Sequence, residues 1–138
     1  IIIVRNQKGV GKGVMTENDL QQIHSYMLTE VKKHNGRIDA IFFCTDIDDN
    51  SMNRKPNCGM ALQAKNKFPG IDFSKSIMVG NKLSDMQFGK SVGMFTVFIA
   101  STNPEITLPH SLINARFTNL LEFAQAVEKE HFEQKLST

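Results

Sequence analysis

Short apolar segments alternate along this chain with segments in which apolar residues recur at helical spacing. The apolar segments are residues 1–4, 38–44, 77–80 and 95–100. They have the length and the β-branched or aromatic content of strands. Residues 41–43 are apolar without interruption, as expected of a parallel strand that is covered on both faces. Residues 1–4 are likewise predicted to form a buried strand.

The intervening segments are predicted to be helices. Apolar residues recur three or four positions apart in the first of them, at Leu20, Ile23, Met27 and Val31. Further helices are expected at residues 60–68, at 84–92 and from 119 onward. Thr16-x-x-Asp19 and Asn119-x-x-Glu122 resemble capping boxes, which begin helices, and Gly36 is expected to end the first helix. The alternation predicts an α/β fold with a parallel sheet, helices on both faces and right-handed crossovers.

Composition limits the classes of protein to which the chain can belong. Its 138 residues are 41% apolar, which suits a single globular domain with its own core. Sixteen basic and fourteen acidic residues give a net charge of +2, too mild to indicate binding to nucleic acid or to a membrane surface. Cys44 and Cys58 occur without a secretory signal or an apolar run of membrane length, so a cytoplasmic protein with two free thiols is expected.

Polar residues follow each predicted strand at its carboxyl end. These runs are residues 5–7, 44–46, 81–85 and 101–103. The carboxyl ends of parallel strands meet at one edge of the sheet, where open α/β folds bind their ligands. Ligand chemistry is therefore expected at this edge.

Two of the polar runs carry cations. Residues 5–13 are basic and rich in glycine, which is typical either of an anion-binding turn or of a solvated, flexible loop. They lack the spacing of a nucleotide P-loop. Arg54 and Lys55 offer a fork of donors and a point charge, a combination that suits a phosphate monoester. Arg5, Asn6, Arg54 and Lys55 are therefore the candidate phosphate-binding residues.

Asn81 and Asp85 are the candidate metal ligands. An amide oxygen and a carboxylate at this spacing suit a hard divalent cation such as Mg²⁺. The same residue types commonly cap helices, and spacing alone favours that interpretation. A zinc site is not expected, because none of the four histidines lies between Cys44 and Cys58. His24, on the first helix, is interpreted as a packed or surface residue.

Three segments resemble motifs of one family in their order and spacing. They are Val4-Arg5-Asn6-Gln7-x-Gly9-Val10-Gly11-x-Gly13, Asn53-Arg54-Lys55-Pro56-x-x-Gly59-Met60 and Met78-Val79-Gly80-Asn81-Lys82-Leu83-x-Asp85-Met86. Together they resemble the haloacid dehalogenase-like phosphatases. The similarity is greatest to the small capless branch that includes heptose 1,7-bisphosphate and histidinol-phosphate phosphatases, and it covers roughly residues 1–130.

The resemblance implies roles for several residues. An Asp at the end of a first strand attacks the phosphoryl group in this family, and an Asp two residues later acts as acid and base. Lys55 matches the lysine that holds the phosphate, and Arg54 matches the substrate-binding arginine beside it. Asp85 matches the second acid of the Mg²⁺-binding motif. The implied fold is a Rossmann-like three-layer sandwich with a mostly parallel sheet, and the implied partner is a small phosphorylated sugar.

The sequence also departs from the family pattern. Arg5 stands where the family has a phosphate-binding Thr, and Asn81 stands where it has a metal-binding Asp. The zinc loop of the branch is represented only by Cys44, with Asp46 in place of a histidine. The strand that carries the Asp-x-Asp pair is expected to be missing, so we expect a single domain, residues 1–138, truncated at its N-terminus.

A missing central strand leaves three ways of building the sheet. Residues 1–4 pair directly with residues 76–80, borrow a strand from another copy, or leave backbone groups unsatisfied. The sequence therefore predicts a fragment, a split gene product, or a homo-oligomer formed by strand swapping.

Three functions are compatible with these features. The first is a sugar-phosphate phosphatase in an incomplete or degenerate form, inactive as this chain. The second is a non-catalytic phosphate-binding or assembly module with the same fold, which Arg5 and Asn81 favour. The third is the phosphatase part of a polynucleotide repair enzyme, against which the mild charge argues.

Overall fold

The computed structural model describes the backbone of residues 1–136 and the side chains of residues 1–130. The chain consists of two compact units, Ile1–Ile71 and Asp72–Thr138. All paired strands run parallel in both units.

The first unit contains a two-stranded sheet and three helices. Strand β1 (Ile2–Asn6) pairs with β2 (Ala40–Cys44) in a register that places Asn6 opposite Cys44. The helices are α1 (Lys8–Gly11), α2 (Glu17–Lys33) and α3 (Gly59–Lys67). Because the strands are parallel, the residues that follow Asn6 and Cys44 leave the sheet at the same edge, and the Gln7 N–H donates to the Cys44 carbonyl oxygen over 2.7 Å.

Local hydrogen bonds set both ends of α2. Thr16 Oγ1 accepts from the Asp19 N–H, and Asp19 Oδ2 accepts from the Thr16 N–H, each over 3.0 Å, which completes the predicted capping box. The helix ends at Lys33 rather than at Gly36. Asn35 adopts the left-handed conformation at φ 62°, while the Gly36 N–H donates back to the Val31 carbonyl. This is a Schellman motif with Asn in the position that Gly usually takes.

The second unit contains a three-stranded sheet. After a 3₁₀ turn (Phe73–Lys75) come β3 (Ile77–Gly80), α4 (Leu83–Ser91), β4 (Phe95–Ile99), β5 (Ala115–Phe117) and α5 (Leu120–Leu136), with the strands in the order β3-β4-β5. Its core includes a buried apolar cluster of Met86, Phe98, Ala100 and Ile113. Thr96 is also fully buried, and its hydroxyl donates to the Leu112 carbonyl oxygen over 2.6 Å.

The α/β class, the four predicted strands, their parallel pairing and the predicted helices are confirmed. Other features differ from expectation: the strands form two sheets, a short helix α1 lies within the basic loop, and β5 is an additional strand. Residues 2–4 are half-buried rather than buried, because β1 has a strand neighbour on one side only among the described residues. Direct pairing of residues 1–4 with residues 76–80 is not found among the described strand pairs.

No helix in the described part of the chain combines the length and the apolar character needed to span a membrane. The single domain, the N-terminal truncation and the swapped homo-oligomer stay predictions.

Candidate functional site

Asn6 and Lys55 are joined by hydrogen bonds at the carboxyl end of β1. Asn6 Oδ1 accepts from the Lys55 N–H over 3.0 Å, and Asn6 Nδ2 donates to the Lys55 carbonyl oxygen over 3.2 Å. The Lys55 ammonium donates to the Val4 carbonyl oxygen over 3.1 Å. One amide side chain thus holds both backbone groups of a residue 49 positions away, and it fixes the lysine at the edge where the sequence predicts ligand binding.

Arg54 lies beside Lys55 and pairs with an acid. Its Nε donates to Asp49 Oδ1 over 3.1 Å, and the Lys8 ammonium donates to the same oxygen over 2.5 Å. The hydrogen bond from Lys8 and the charges of Lys8 and Arg54 hold the pKa of Asp49 below its usual 3.8. Asp49 is therefore a carboxylate throughout the neutral pH range, held between two cations.

The other acids of this loop fold the loop itself. Asp46 accepts a hydrogen bond from the Ser51 hydroxyl, and Asp48 Oδ1 accepts from the Asn50 N–H over 2.9 Å. Asp49 instead forms ion pairs with Lys8 and Arg54, so the three carboxylates have different surroundings.

Arg5 lies near the carboxyl end of β1 and contacts Gln7. With the amide of Gln7 turned so that its oxygen faces the guanidinium, that oxygen accepts from Arg5 Nη2 over 2.6 Å and from Nε over 3.1 Å. The basic loop is partly helical, because it contains α1. Gly11 packs closely on the residue that follows β2, since an added Cβ would lie 2.1 Å from the Thr45 carbonyl oxygen. The structure places two of the loop's cations, Arg5 and Lys8, in intramolecular contacts.

His24 is a packed residue, one of the two alternatives that the sequence leaves open. Its side chain is 5% exposed, and its ring centroid lies 5.6 Å from that of Phe43 on β2. Burial, with a smaller contribution from the charge of Arg5, lowers the pKa of His24 below 6.5. The imidazole is therefore neutral at pH 7 and belongs to the packing of α2 on the sheet.

In the second unit, Asp85 caps α4 from within the first turn. Its Oδ2 accepts from the N–H groups of Asn81 and Lys82, each over 3.2 Å, and its side chain is buried. Gly80 makes this arrangement possible, because a Cβ at that position would lie 2.3 Å from the Cβ of Asp85 and 2.5 Å from its Oδ2. The capping interpretation therefore holds for Asp85.

Asn81 does not cap the helix through its side chain. Its Nδ2 donates to Thr102 Oγ1 over 3.0 Å, and Asn103 Nδ2 donates to the Asn81 carbonyl oxygen over 2.8 Å. The polar residues that follow β3 and β4 are thus brought together, as the parallel arrangement predicts. Because the amide nitrogen of Asn81 donates to Thr102, the orientation of the amide is set and its oxygen can act as a ligand.

These oxygens suit a hard cation, although they carry little charge. Mg²⁺ is usually held by one or two carboxylates together with waters and substrate phosphates. Asp85 and Asn81 supply one carboxylate and one amide oxygen, a set that fits this pattern at its lower limit. Within the described part of the chain, no three His, Cys, Asp or Glu residues form a group that could hold a metal ion, and Cys44 and Cys58 are free thiols.

The predicted site residues thus fall into two groups. Asn6, Arg54 and Lys55 lie together in the first unit, and Asn81 and Asp85 lie together in the second. The sequence does not predict the ion pairs that Asp49 forms with Lys8 and with Arg54. The available signal was a group of three acids followed by two bases in residues 46–55, which does not by itself identify partners.

Comparisons with known proteins agree with the motifs. The HAD-hydrolase-like family model matches residues 52–111. The D-glycero-alpha-D-manno-heptose-1,7-bisphosphate 7-phosphatase of Campylobacter jejuni is 36% identical over 101 residues, which cover 73% of this chain and 58% of that protein. The D-glycero-beta-D-manno-heptose-1,7-bisphosphate 7-phosphatase of Helicobacter pylori is 30% identical over 118 residues, which cover 84% of this chain and 67% of that protein.

A solved structure shows the same fold. The D,D-heptose 1,7-bisphosphate phosphatase of B. bronchiseptica, complexed with magnesium and phosphate, superposes with a TM-score of 0.81 at 25% identity over 94% of this chain and 74% of that protein. The chain spans less than two thirds of the Campylobacter jejuni relative's length, and 56% of that of a Rhodopseudomonas palustris relative. Fold, motifs and relatives agree: the chain has a Rossmann-like α/β fold and belongs to the haloacid dehalogenase-like hydrolase family, within which it resembles the heptose bisphosphate phosphatases.

Proposed function

We propose that this chain binds a phosphorylated sugar, with heptose 1,7-bisphosphate as the first candidate, and that Lys55 holds the phosphate group. The observation that carries the proposal is the pair of hydrogen bonds between the Asn6 side chain and the backbone of Lys55. A flexible lysine loses considerable side-chain entropy when it binds a ligand, and Lys55 loses less because its ammonium already donates to the Val4 carbonyl oxygen. Heptose 1,7-bisphosphate is the candidate substrate because the relatives from Campylobacter jejuni and Helicobacter pylori are heptose-1,7-bisphosphate 7-phosphatases.

The cations of the first unit have the chemistry that phosphoryl transfer requires. The reaction is promoted mainly by positioning and by positive charge around the equatorial oxygens. Lys55 supplies a point charge, and Arg54 supplies planar donors that match two phosphate oxygens. Arg5 stands where the family has a hydroxyl, and in this chain it adds positive charge in place of a neutral donor.

Asn81 and Asp85 would hold Mg²⁺ in this proposal. When bound, the ion would act as a Lewis acid toward an oxygen ligand. The residues themselves contribute one formal negative charge, and Thr102 keeps the amide of Asn81 in one orientation. We therefore expect weaker Mg²⁺ binding than a pair of carboxylates would give.

We further propose that the 138 residues alone release no phosphate. We assign no nucleophile among them. The neutral Asn81 and the substitution of Arg5 for a hydroxyl both weaken the machinery that the family resemblance implies. The proposal is thus a phosphatase in an incomplete or degenerate form.

Calorimetric titration of heptose 1,7-bisphosphate, with and without Mg²⁺, tests the binding. Replacing Lys55 with Met is expected to weaken binding at least about 10-fold, the loss of one charge-assisted hydrogen bond. Lys12→Met is the matched control, since Lys12 lies in the same unit with an exposed side chain. Equal affinities for the wild-type chain and the Lys55 variant would refute the assignment.

A non-catalytic phosphate-binding module is the second candidate, and the neutral amide at Asn81 favours it. The two candidates differ in what restoration of the family residues does. We expect Asn81→Asp combined with Arg5→Thr to raise Mg²⁺-dependent phosphate release, measured in a protein that also carries the Asp-x-Asp strand of the family, if the chain derives from an enzyme whose lesion lies at these positions. Phosphate binding without any release, in the restored as in the original protein, supports the module.

A further inference from the structure

One anion already occupies the space between two cations of the first unit. Asp49 Oδ1 accepts from the Lys8 ammonium over 2.5 Å and from Arg54 Nε over 3.1 Å. The two cations are mostly shielded, with side chains 27% and 18% exposed, whereas the side chain of Asp49 is 77% exposed. The cations are therefore parts of the folded surface, and the carboxylate reaches them from the solvent side.

The contact with Arg54 uses little of the guanidinium. Arginine and a carboxylate or phosphate usually form two parallel hydrogen bonds. Here the carboxylate contacts Nε, and Arg54 Nη1 is buried without a hydrogen-bond partner among the described residues. The Asp49 carboxylate therefore uses only part of the donor capacity of the guanidinium.

Lys8 and Arg54 come from different parts of the chain. Lys8 opens α1, and Arg54 precedes Lys55 in the loop before α3. Arg54 is therefore the sequence neighbour of Lys55, the residue that holds phosphate in the proposed function. A phosphate oxygen, which carries negative charge and accepts several hydrogen bonds, has the same requirements as the carboxylate oxygen that is there now.

We propose that Lys8 and Arg54 form a subsite for a phosphate monoester group, and that Asp49 is an internal anion that the phosphate must displace. This inference rests on the proposed function in that it adds a residue and a competitor to the same cation cluster. Asp49 loses little when it is displaced, because its side chain is mostly solvated already. The competitor weakens binding and favours the more highly charged dianion over singly charged anions.

The expected size of the competition follows from the type of ion pair. Two exposed ion pairs of ordinary strength correspond to about a 2- to 30-fold change in affinity. Removing the competitor by Asp49→Asn is expected to tighten binding of inorganic phosphate and of glycerol phosphate within this range. Asp48→Asn is the matched control, because it removes the same charge at the neighbouring position. The side chain of Asp48 accepts a hydrogen bond from the backbone of Asn50.

Phosphate titrations followed by ³¹P NMR at low salt test the proposal on four variants: Asp49→Asn, Asp48→Asn, Lys8→Met and the Lys8→Met/Asp49→Asn double variant. We expect Asp49→Asn to bind more tightly than wild type, Asp48→Asn to stay within about twofold of it, and the gain to vanish in the Lys8→Met background. Circular dichroism confirms that each variant is folded. An Asp49→Asn affinity equal to wild type, an equal gain in Asp48→Asn, or a gain that persists without Lys8 would each overturn the inference.

The same titration on Lys55→Met separates this inference from the proposed function. Intact phosphate binding in Lys55→Met, together with a gain from Asp49→Asn that depends on Lys8, supports the subsite and refutes the role of Lys55. Loss of binding in Lys55→Met with no effect of Asp49→Asn supports Lys55 and refutes the subsite. Absence of phosphate binding in every variant refutes both.

Discussion

The contact between Gly80 and Asp85 yields the sharpest prediction about stability. In Gly80→Ala the new Cβ would lie 2.3 Å from the Cβ of Asp85 and 2.5 Å from its Oδ2, so the start of α4 must shift. The shift breaks the two hydrogen bonds that the carboxylate accepts from Asn81 and Lys82, each about 1.5–3 kcal/mol for a charged acceptor. The lower entropy of the unfolded chain returns about 0.4–1 kcal/mol. We therefore expect the free energy of unfolding to fall by about 2–5 kcal/mol.

Urea unfolding followed by far-UV circular dichroism measures this loss, since the chain contains no tryptophan. Gly70→Ala is the control, because an added Cβ at Gly70 meets no atom within 4 Å. The control is expected to keep or slightly raise the free energy of unfolding. If Gly80→Ala is as stable as Gly70→Ala, the close packing of Asp85 on Gly80 does not exist in solution and the account of the second site is wrong.

Three further predictions concern the core, pH and Mg²⁺. Phe98 is fully buried, so Phe98→Ala is expected to lower the free energy of unfolding by about 3–5 kcal/mol in the same urea assay, and a loss below about 1 kcal/mol would contradict its place in the core. Because burial lowers the pKa of His24 in the folded chain, the unfolded chain takes up its proton first as pH falls below about 6.5. Stability is therefore complete above that pH and declines below it, and His24→Gln should lessen the decline while the exposed His34→Gln does not. Asn81→Asp is expected to tighten Mg²⁺ binding, measured by calorimetry, by about 10- to 30-fold, whereas Asn66→Asp on α3 leaves it unchanged.

Most of the fold follows from local patterns. Four strands and four helices were predictable because each contains enough apolar residues to show a period. Strand β5 was not, since Ala115–Phe117 has three residues with an arginine between two apolar side chains. The preference for Gly after a helix predicts that α2 ends at Gly36, but Asn35 takes the left-handed position. Gly36 is accommodated because it has no side chain, since a Cβ there would lie 2.7 Å from the side chain of Val31.

The site was predictable only as far as strand order allows. Parallel strands place residues 5–7 near residues 44–46, and Asn81 near Thr102, and the structure confirms both placements. The hydrogen bonds between Asn6 and Lys55 span 49 residues and depend on how the loop before α3 folds, which no period encodes. The partner of Asp49 was equally hidden, because residues 46, 48 and 49 are chemically identical acids whose side chains point to different neighbours.

The most direct test of the central claim is to observe where phosphate binds. In a titration of the ¹⁵N-labelled chain with inorganic phosphate, the account predicts saturable shifts in the amide signals of Asn6, Arg54 and Lys55, while the signals of Lys12 and Lys33 stay in place. Saturable shifts confined to other parts of the chain, or no saturable shift at Lys55, would contradict the assignment of this lysine as the phosphate-binding residue.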